Sequence, residues 1–394
     1  MKFFPFKLSL FFLWTSHLFM DFFTGIWPIY KTLAHVDIAK AGLIAGISGF
    51  IGELLQIVFG YLCDRGHRKK VMLLGLLLAS SILWVTFVEG ITPYFTLLLL
   101  LMIGSGAFHP AAAGMAGNLS KDHKGKVILF FASGGAIGLS ISQITFTKLL
   151  TLFNGHAAIL LLLIAFLLLS LFLHKFPSQA PLRQDQSLKD FFQPIMKCKR
   201  QLRLLYLSQV TSQALFYAFI FLLPDLLRAK GAHGWLCWGG GHFCFMLSSA
   251  LAMVPAGYLC DRLGQKTVLL SVLASTLFFF YLFLLAPFLS LAATIALLSI
   301  LGAFLGLINP IIISWGNRLV PESPSTVSAL LMGLAWCLAY FGPISAGFMS
   351  KYFVATPYVS AISILGLLLV INLFLVFLIP HPEPILAKEE AEVI

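Results

Sequence analysis

His17 and Asp21 stand four residues apart inside an apolar stretch. On a helix that spacing puts both on one face, with Trp14 and Gly25 on the same stripe. An imidazole beside a carboxylate can share a proton, because the carboxylate stabilises the imidazolium form near neutral pH. Glu53 and His109 are further titratable residues within apolar stretches, and Gln213 and Asn309 add amides able to bond a ligand. The chemistry this set can support is proton binding together with polar recognition. Each could also be no more than a satisfied bond between packed helices. Covalent catalysis has no footing, since the chain carries no H-E-x-x-H, G-x-S-x-G or P-loop pattern.

Those residues need elements to hold them. Of the 394 residues 59% are hydrophobic and 10% charged, against roughly 25% charged in soluble domains. A spanning helix takes about 20 apolar residues. Apolar runs at 8–30, 41–62, 71–88, 93–118, 127–150, 156–174, 204–227, 235–259, 267–286, 290–316, 326–350 and 356–379 predict twelve spans. The runs are continuous rather than alternating, which excludes a β-barrel. The fold class expected is an all-α polytopic membrane protein. The first run, with Lys2 and Lys7 before it, is read as a retained first helix rather than a leader, because it contains His17 and Asp21. Counted at about 1.5 Å per residue from the nearest basic edge, His17, Glu53, His109, Gln213 and Asn309 all fall roughly 13–18 Å deep. In a hydrocarbon core about 30 Å thick that is the midplane. Asp21 lies one turn further out, and Asp225, after Pro224, is expected at the outer interface.

The net charge of +11 does not point to nucleic acid, because the basic residues sit in short loops between spans. With the N-terminus inside, only Lys31, Lys40, Lys148, Arg228, Lys230 and Lys351 fall outside, so both termini are expected in the cytoplasm. Cys63, Cys198, Cys237, Cys244, Cys260 and Cys337 form no C-x-x-C pair and read as small apolar fillers, not ligands.

The hexapeptide Gly-Tyr-Leu-Cys-Asp-Arg occurs at Gly60–Arg65 and again at Gly257–Arg262, half the chain length apart. His109-Pro110 and Asn309-Pro310 repeat at a similar offset. The chain is therefore expected to be a duplication: a six-helix bundle over 1–175, a cytoplasmic linker over 176–203, and a second six-helix bundle over 204–394. The linker carries a short amphipathic stretch at 188–196, suited to a membrane surface. Helix kinks are expected at Pro110, Pro310 and Pro343. Within the repeated turn, Gly60 would admit a close helix neighbour. Gly60, Asp64, Arg65, Arg68 and Lys69, with Gly257, Asp261 and Arg262, would form a charged latch where the two bundles meet and part.

Gly60, Asp64, Arg65, Arg68 and Lys69 match a G-x-x-x-D-R-x-x-R-K pattern, and the chain thereby resembles the major facilitator superfamily. Ser16-His17-x-x-x-Asp21, Gln56 before Phe59-Gly60, and Gly104-Ser-Gly-Ala-Phe-His109-Pro110 resemble its fosmidomycin-resistance-type branch. The resemblance implies the major facilitator fold, with two pseudo-symmetric bundles, and proton-driven export by alternating access. The Gly-Pro of antiporter-like members is absent from span five, and Gly342-Pro343 stands in span eleven instead. Proton-coupled uptake is thus the alternative, and a membrane sensor or enzyme a remote one. The partners expected are a small-molecule substrate, protons and the lipid bilayer of the plasma membrane. No nucleic acid, cofactor or metal is expected, and the chain is expected to act as a monomer. No Lys or Arg lies near the midplane, which favours neutral, zwitterionic or cationic substrates over polyanions.

Overall fold

A computed structural model describes residues 8–119, 124–157, 159–176, 199–287, 290–320 and 327–380. The stretch at 188–196 and the polar tail after 380 lie outside them. Among the described residues every regular element is helical. In the first half these are α1 (Leu8–Thr24), α2 (Ile26–Leu33), α3 (Ile38–Leu62), α4 (Arg68–Ala79), α5 (Ile91–Gly117), α6 (Lys124–Leu152) and α7 (Ile159–Leu173). In the second they are α8 (Lys199–Ala229), α9 (Gly241–Leu263), α10 (Gln265–Leu285), α11 (Leu291–Leu319), α12 (Ala335–Ala339), α13 (Phe341–Tyr352) and α14 (Pro357–Phe377).

Nine helical stretches among the described residues are long and apolar enough to cross a membrane. One of them, the 50 residues of Ile38–Phe87, is a hairpin covering the second and third expected spans. It reverses at the wide turn Cys63–His67, where Gly66 takes φ 90°, a left-handed conformation that only glycine adopts at little cost. The first span is interrupted at Gly25 between α1 and α2, and α7 is short at 15 residues. All twelve apolar runs therefore have a helical counterpart. Pro110 and Pro310 sit inside the unbroken helices α5 and α11. Pro343 falls in the first turn of α13, where its missing N–H costs nothing.

The packing repeats between the halves. In the first, α3 and α4 both pack on α5; in the second, α9 and α10 both pack on α11. Lys69 Nζ donates to the carbonyls of Phe172 (2.7 Å) and His174 (2.9 Å), holding the end of α7. Lys266 does the same for α14, through the carbonyls of Phe377 (3.1 Å) and Ile379. A cation at a helix C-terminus satisfies bare carbonyls and opposes the macrodipole.

The two ends of the molecule differ. At the end away from the Cys63–His67 turn, the halves are in tight contact. A Cβ on Gly42 of α3 would lie 2.5 Å from the Pro343 carbonyl oxygen of α13. Asp37 caps α3 through the Lys40 N–H (3.0 Å) and pairs with Lys351 of α13 at 2.8 Å. The Lys351 ammonium and the Lys40 N–H hold the Asp37 carboxyl below its usual range. Lys31 of α2 pairs with Asp225 of α8 and lies 4.5 Å from the Phe221 ring centre. Lys31 is only 1% exposed. Asp225 is therefore not a freely solvated interfacial carboxylate; it neutralises a buried ammonium from the other half. The Arg228 guanidinium donates to the Thr32 carbonyl at 3.2 Å. Thr147 of α6 donates to the Trp238 carbonyl at 2.8 Å, and His242 of α9 to the Leu139 carbonyl at 2.9 Å.

At the basic end the repeated turns keep to their own halves. Asp64 pairs with Arg68 at 3.4 Å, and Asp261 with Arg318. Arg65 lies over Tyr61 at 4.5 Å and Arg262 over Tyr258 at 4.8 Å. A Cβ at Gly60 or at Gly257 would meet nothing within 4 Å. The close helix approach expected at Gly60 is not made in this structure, because no neighbouring helix reaches it here. Among the described residues these latch pairings stay within their own halves.

Candidate functional site

Span one is laid against span five by glycines. A Cβ on Gly134 would lie 2.5 Å from the Trp14 carbonyl oxygen, and one on Gly138 2.0 Å from that of Leu18. Small residues let two backbones approach in this way. At Gly135 the gap is filled by chemistry: an added Cβ would lie 2.4 Å from Asp21 Oδ2 and 2.5 Å from His17 Nε2. Trp14 is fixed by its Nε1–H bond to Ser133 Oγ (3.0 Å), and the His17 ring stacks on Phe131 at 4.3 Å.

His17 Nε2 lies 3.4 Å from Asp21 Oδ2. His109, from α5, brings its Nε2 to 3.2 Å from Asp21 Oδ1. The three donor atoms lie within 4.8 Å of one another, a cradle for one small cation. The opposite nitrogen of each ring is already committed. His17 Nδ1 is 2.9 Å from the Phe131 carbonyl oxygen, and His109 Nδ1 is 2.9 Å from the Ser105 carbonyl oxygen. A carbonyl only accepts, so both Nδ1 atoms carry hydrogen. In a neutral imidazole Nε2 is then a bare lone pair. Two lone pairs thus face the two oxygens of one carboxylate. Each contact becomes a hydrogen bond only when a proton sits on it. Exposure rises from His17 (10%) through Asp21 (21%) to His109 (32%), so His109 is the open side of the cluster.

Glu53, one turn beyond Gly49 on α3, is buried, and its hydrogen-bond partner among the described residues is the Gln56 amide. Tyr340 of span eleven packs on Gly49, where an added Cβ would lie 2.2 Å from ring carbons. Tyr217 of α8 stacks on Tyr340 with centroids 4.6 Å apart. Glu53 and Asp21 are both within electrostatic reach of these two rings, and Glu53 and His109 of one another. Asn309 pairs with Gln209 in the second half, and Gln213 is buried one turn along α8.

Of the six polar residues singled out from sequence, His17, Asp21 and His109 thus meet directly, and Glu53 lies close by. Gln213 and Asn309 stay outside the cluster. Sequence reasoning missed Lys31–Asp225, the Tyr217–Tyr340 stack and the role of Gly135. The signal for Gly135 was legible as Gly134-Gly135-x-x-Gly138, a run of small residues on one helix face.

The family model of the Major Facilitator Superfamily matches residues 10–341 and again 205–393. The chain belongs to the major facilitator superfamily. It is a secondary transporter, not an enzyme. Its relatives within the superfamily include the fosmidomycin resistance protein of Escherichia coli (strain K12). That protein is 22% identical over 356 residues, covering 86% of this chain and 85% of its own length. The uncharacterised MFS-type transporter YfnC of Bacillus subtilis (strain 168) is also 22% identical, over 91% of this chain and 88% of its own. Among solved structures, a bacterial homologue of the human lysosomal transporter Spinster, inward-facing and unoccupied, superposes with a TM-score of 0.75. It is 16% identical and covers 94% of this chain and 95% of its own. A point mutant of the nucleoside transporter NupG gives 0.77 at 14% identity, over 95% and 100%. Superfamily membership accounts for the duplicated helix packing.

Proposed function

We propose that this transporter exports a small molecule, a drug or a metabolite, in exchange for protons, and that Asp21 carries the proton between His17 and His109. One observation carries the reading. Both imidazoles have their Nδ1–H tied to a backbone carbonyl, so both present Nε2 to the same carboxylate. That arrangement calls for a bound proton and offers it two further resting places. His109, the most exposed member, is the port through which protons enter and leave.

The asymmetry of Lys and Arg supports a cytoplasmic basic end and cytoplasmic termini in the plasma membrane. On that orientation the conformer described above is sealed toward the outside and parted toward the cytoplasm. Two six-helix bundles, over 1–175 and 204–394, would rock about the central layer that holds the cluster. The basic turns would exchange their local partners for partners across the halves when the cytoplasmic side closes.

The test uses inverted membrane vesicles with an acid interior, a divalent-ion chelator present, and a panel of radiolabelled compounds that begins with fosmidomycin. Export shows as accumulation driven by the pH gradient. Asp21→Asn is expected to abolish gradient-driven accumulation while substrate–substrate exchange without a gradient survives. Persistence of gradient-driven accumulation in Asp21→Asn removes the assignment. Accumulation that instead requires an alkaline interior establishes proton symport into the cell.

A further inference from the structure

The polar groups of the central layer are not equally provided for. Asp21 has two imidazoles. Glu53, at 5% exposure, has a neutral amide from its own helix. A buried carboxylate without a bonded counter-ion is costly, and the basic group within electrostatic reach of it among the described residues, His109, turns its Nε2 to Asp21 instead. What does surround Glu53 is aromatic and soft. Tyr340 lies one helical turn away, over Gly49, with its hydroxyl 4.0 Å from the Met102 sulfur. Tyr217 stacks on Tyr340, and Cys337 is within electrostatic reach.

The pieces come from both halves of the molecule. Glu53 and Met102 belong to the first; Tyr217 and Tyr340 belong to the second. From these we infer that Glu53, Tyr217 and Tyr340 form the subsite for a lipophilic organic cation, a quaternary ammonium or phosphonium whose charge is wrapped in apolar groups. The carboxylate supplies the opposite charge, and the ring faces supply the attraction that an aromatic quadrupole exerts on a cation. A strongly hydrated cation would find too few hydrogen-bond acceptors here to replace its water. An anion would meet two carboxylates and no fixed cation. Because the subsite is divided between the halves, its occupant bears on both and is released when they part.

The inference deepens the exporter reading and rests on it for the direction of travel; the binding itself stands apart. The experiment is equilibrium binding of tritiated tetraphenylphosphonium to the full-length purified protein in detergent, with no gradient. Saturable binding at one site is expected. Glu53→Gln should weaken it at least tenfold, and Glu53→Asp, which keeps the charge, should hold it to within a fewfold loss. Tyr217→Leu and Tyr340→Leu should each weaken it roughly three- to tenfold, with Tyr217→Phe binding like the parent. Tetraphenylborate, the same shape with the opposite charge, should not compete.

Three results overturn the proposal: no saturable binding to the folded parent protein, unchanged binding in Glu53→Gln, or displacement by tetraphenylborate as effective as by unlabelled tetraphenylphosphonium. Monodisperse elution and an unchanged melting temperature establish folding of each variant; should Glu53→Gln fail that check, Tyr217→Leu against Tyr217→Phe carries the test. Loss of pH-driven flux with cation binding intact refutes the exporter reading alone. Absent cation binding with pH-driven flux of another compound intact refutes this subsite alone.

Discussion

Asp225→Asn should open the sealed end of the molecule. In the structure Lys31 is 1% exposed and Asp225 11%. The variant leaves an ammonium buried without its counter-ion, and breaking one side of a buried pair costs about 3–5 kcal/mol. Lys31 keeps a bond to Thr32 Oγ1 at 3.1 Å and its contact with the Phe221 ring, so the lower figure, about 3 kcal/mol, applies. In the conformer open at this end both groups reach water and the penalty vanishes. The equilibrium between the two conformers should therefore move about a hundredfold toward the open one, enough to bring a parent that is roughly 99:1 closed to near parity. Electron–electron distance measurements between spin labels at Lys40 and Val354, one on each half at this end, read the change directly. The double variant Lys31→Met with Asp225→Leu removes both charges and should return the distribution to within tenfold of the parent. A closed population in Asp225→Asn equal to the parent's, or a double variant as open as the single, would refute the reasoning.

Gly135→Ala inserts a carbon within 2.5 Å of His17 Nε2 and Asp21 Oδ2. It should lose pH-driven transport and about 1–3 kcal/mol of stability, read as flux and melting temperature together. Asp64→Asn should impair transport more than Asp261→Asn. The Arg68 side chain that Asp64 holds is 10% exposed and packs on Gly114, whereas Asp261 and Arg318 are 66% and 53% exposed; equal losses in initial rate would count against it. Asp37 titrates below its ordinary value when paired with Lys351. Its contribution to the sealed end is fully present above the free carboxylate's value, near 4, and is lost only as pH falls through the lowered one. The Lys40–Val354 distance should accordingly show no change from this pair between pH 5 and 8.

The twelve passes were legible because apolar length is a local property, and so was His17 beside Asp21, because a helix guarantees that i and i+4 share a face. Depth along the spans put His109 and Glu53 in one layer, and the structure brings them within electrostatic reach. Depth could not separate them, since which of them meets Asp21 depends on how α5 and α6 pack on α1. Lys31 and Asp225 illustrate the same boundary. Charge asymmetry puts both at one end, but their pairing joins α2 to α8 and exists only when the halves close there. Gly60 marks a further boundary: a glycine's smallness is local, but whether a helix packs on it is not, and here a Cβ would meet nothing within 4 Å.

Helix α3 runs from Ile38 to Leu62 without a proline, whereas α5, α8, α9 and α11 each carry one inside. Its 25 residues make a rod about 37 Å long, with Gly42 wedged against Pro343 at one tip and the Asp64 turn at the other. Glycines near its middle sit on Met102 and under Tyr340. Such a rod is a seesaw. A tilt of about 10° about that fulcrum moves the two tips by about 3 Å each in opposite directions, given the rise per residue. In the rocking motion proposed above, one such beam would tie the two ends together, so that the end at Gly42 closes as the end at Asp64 opens.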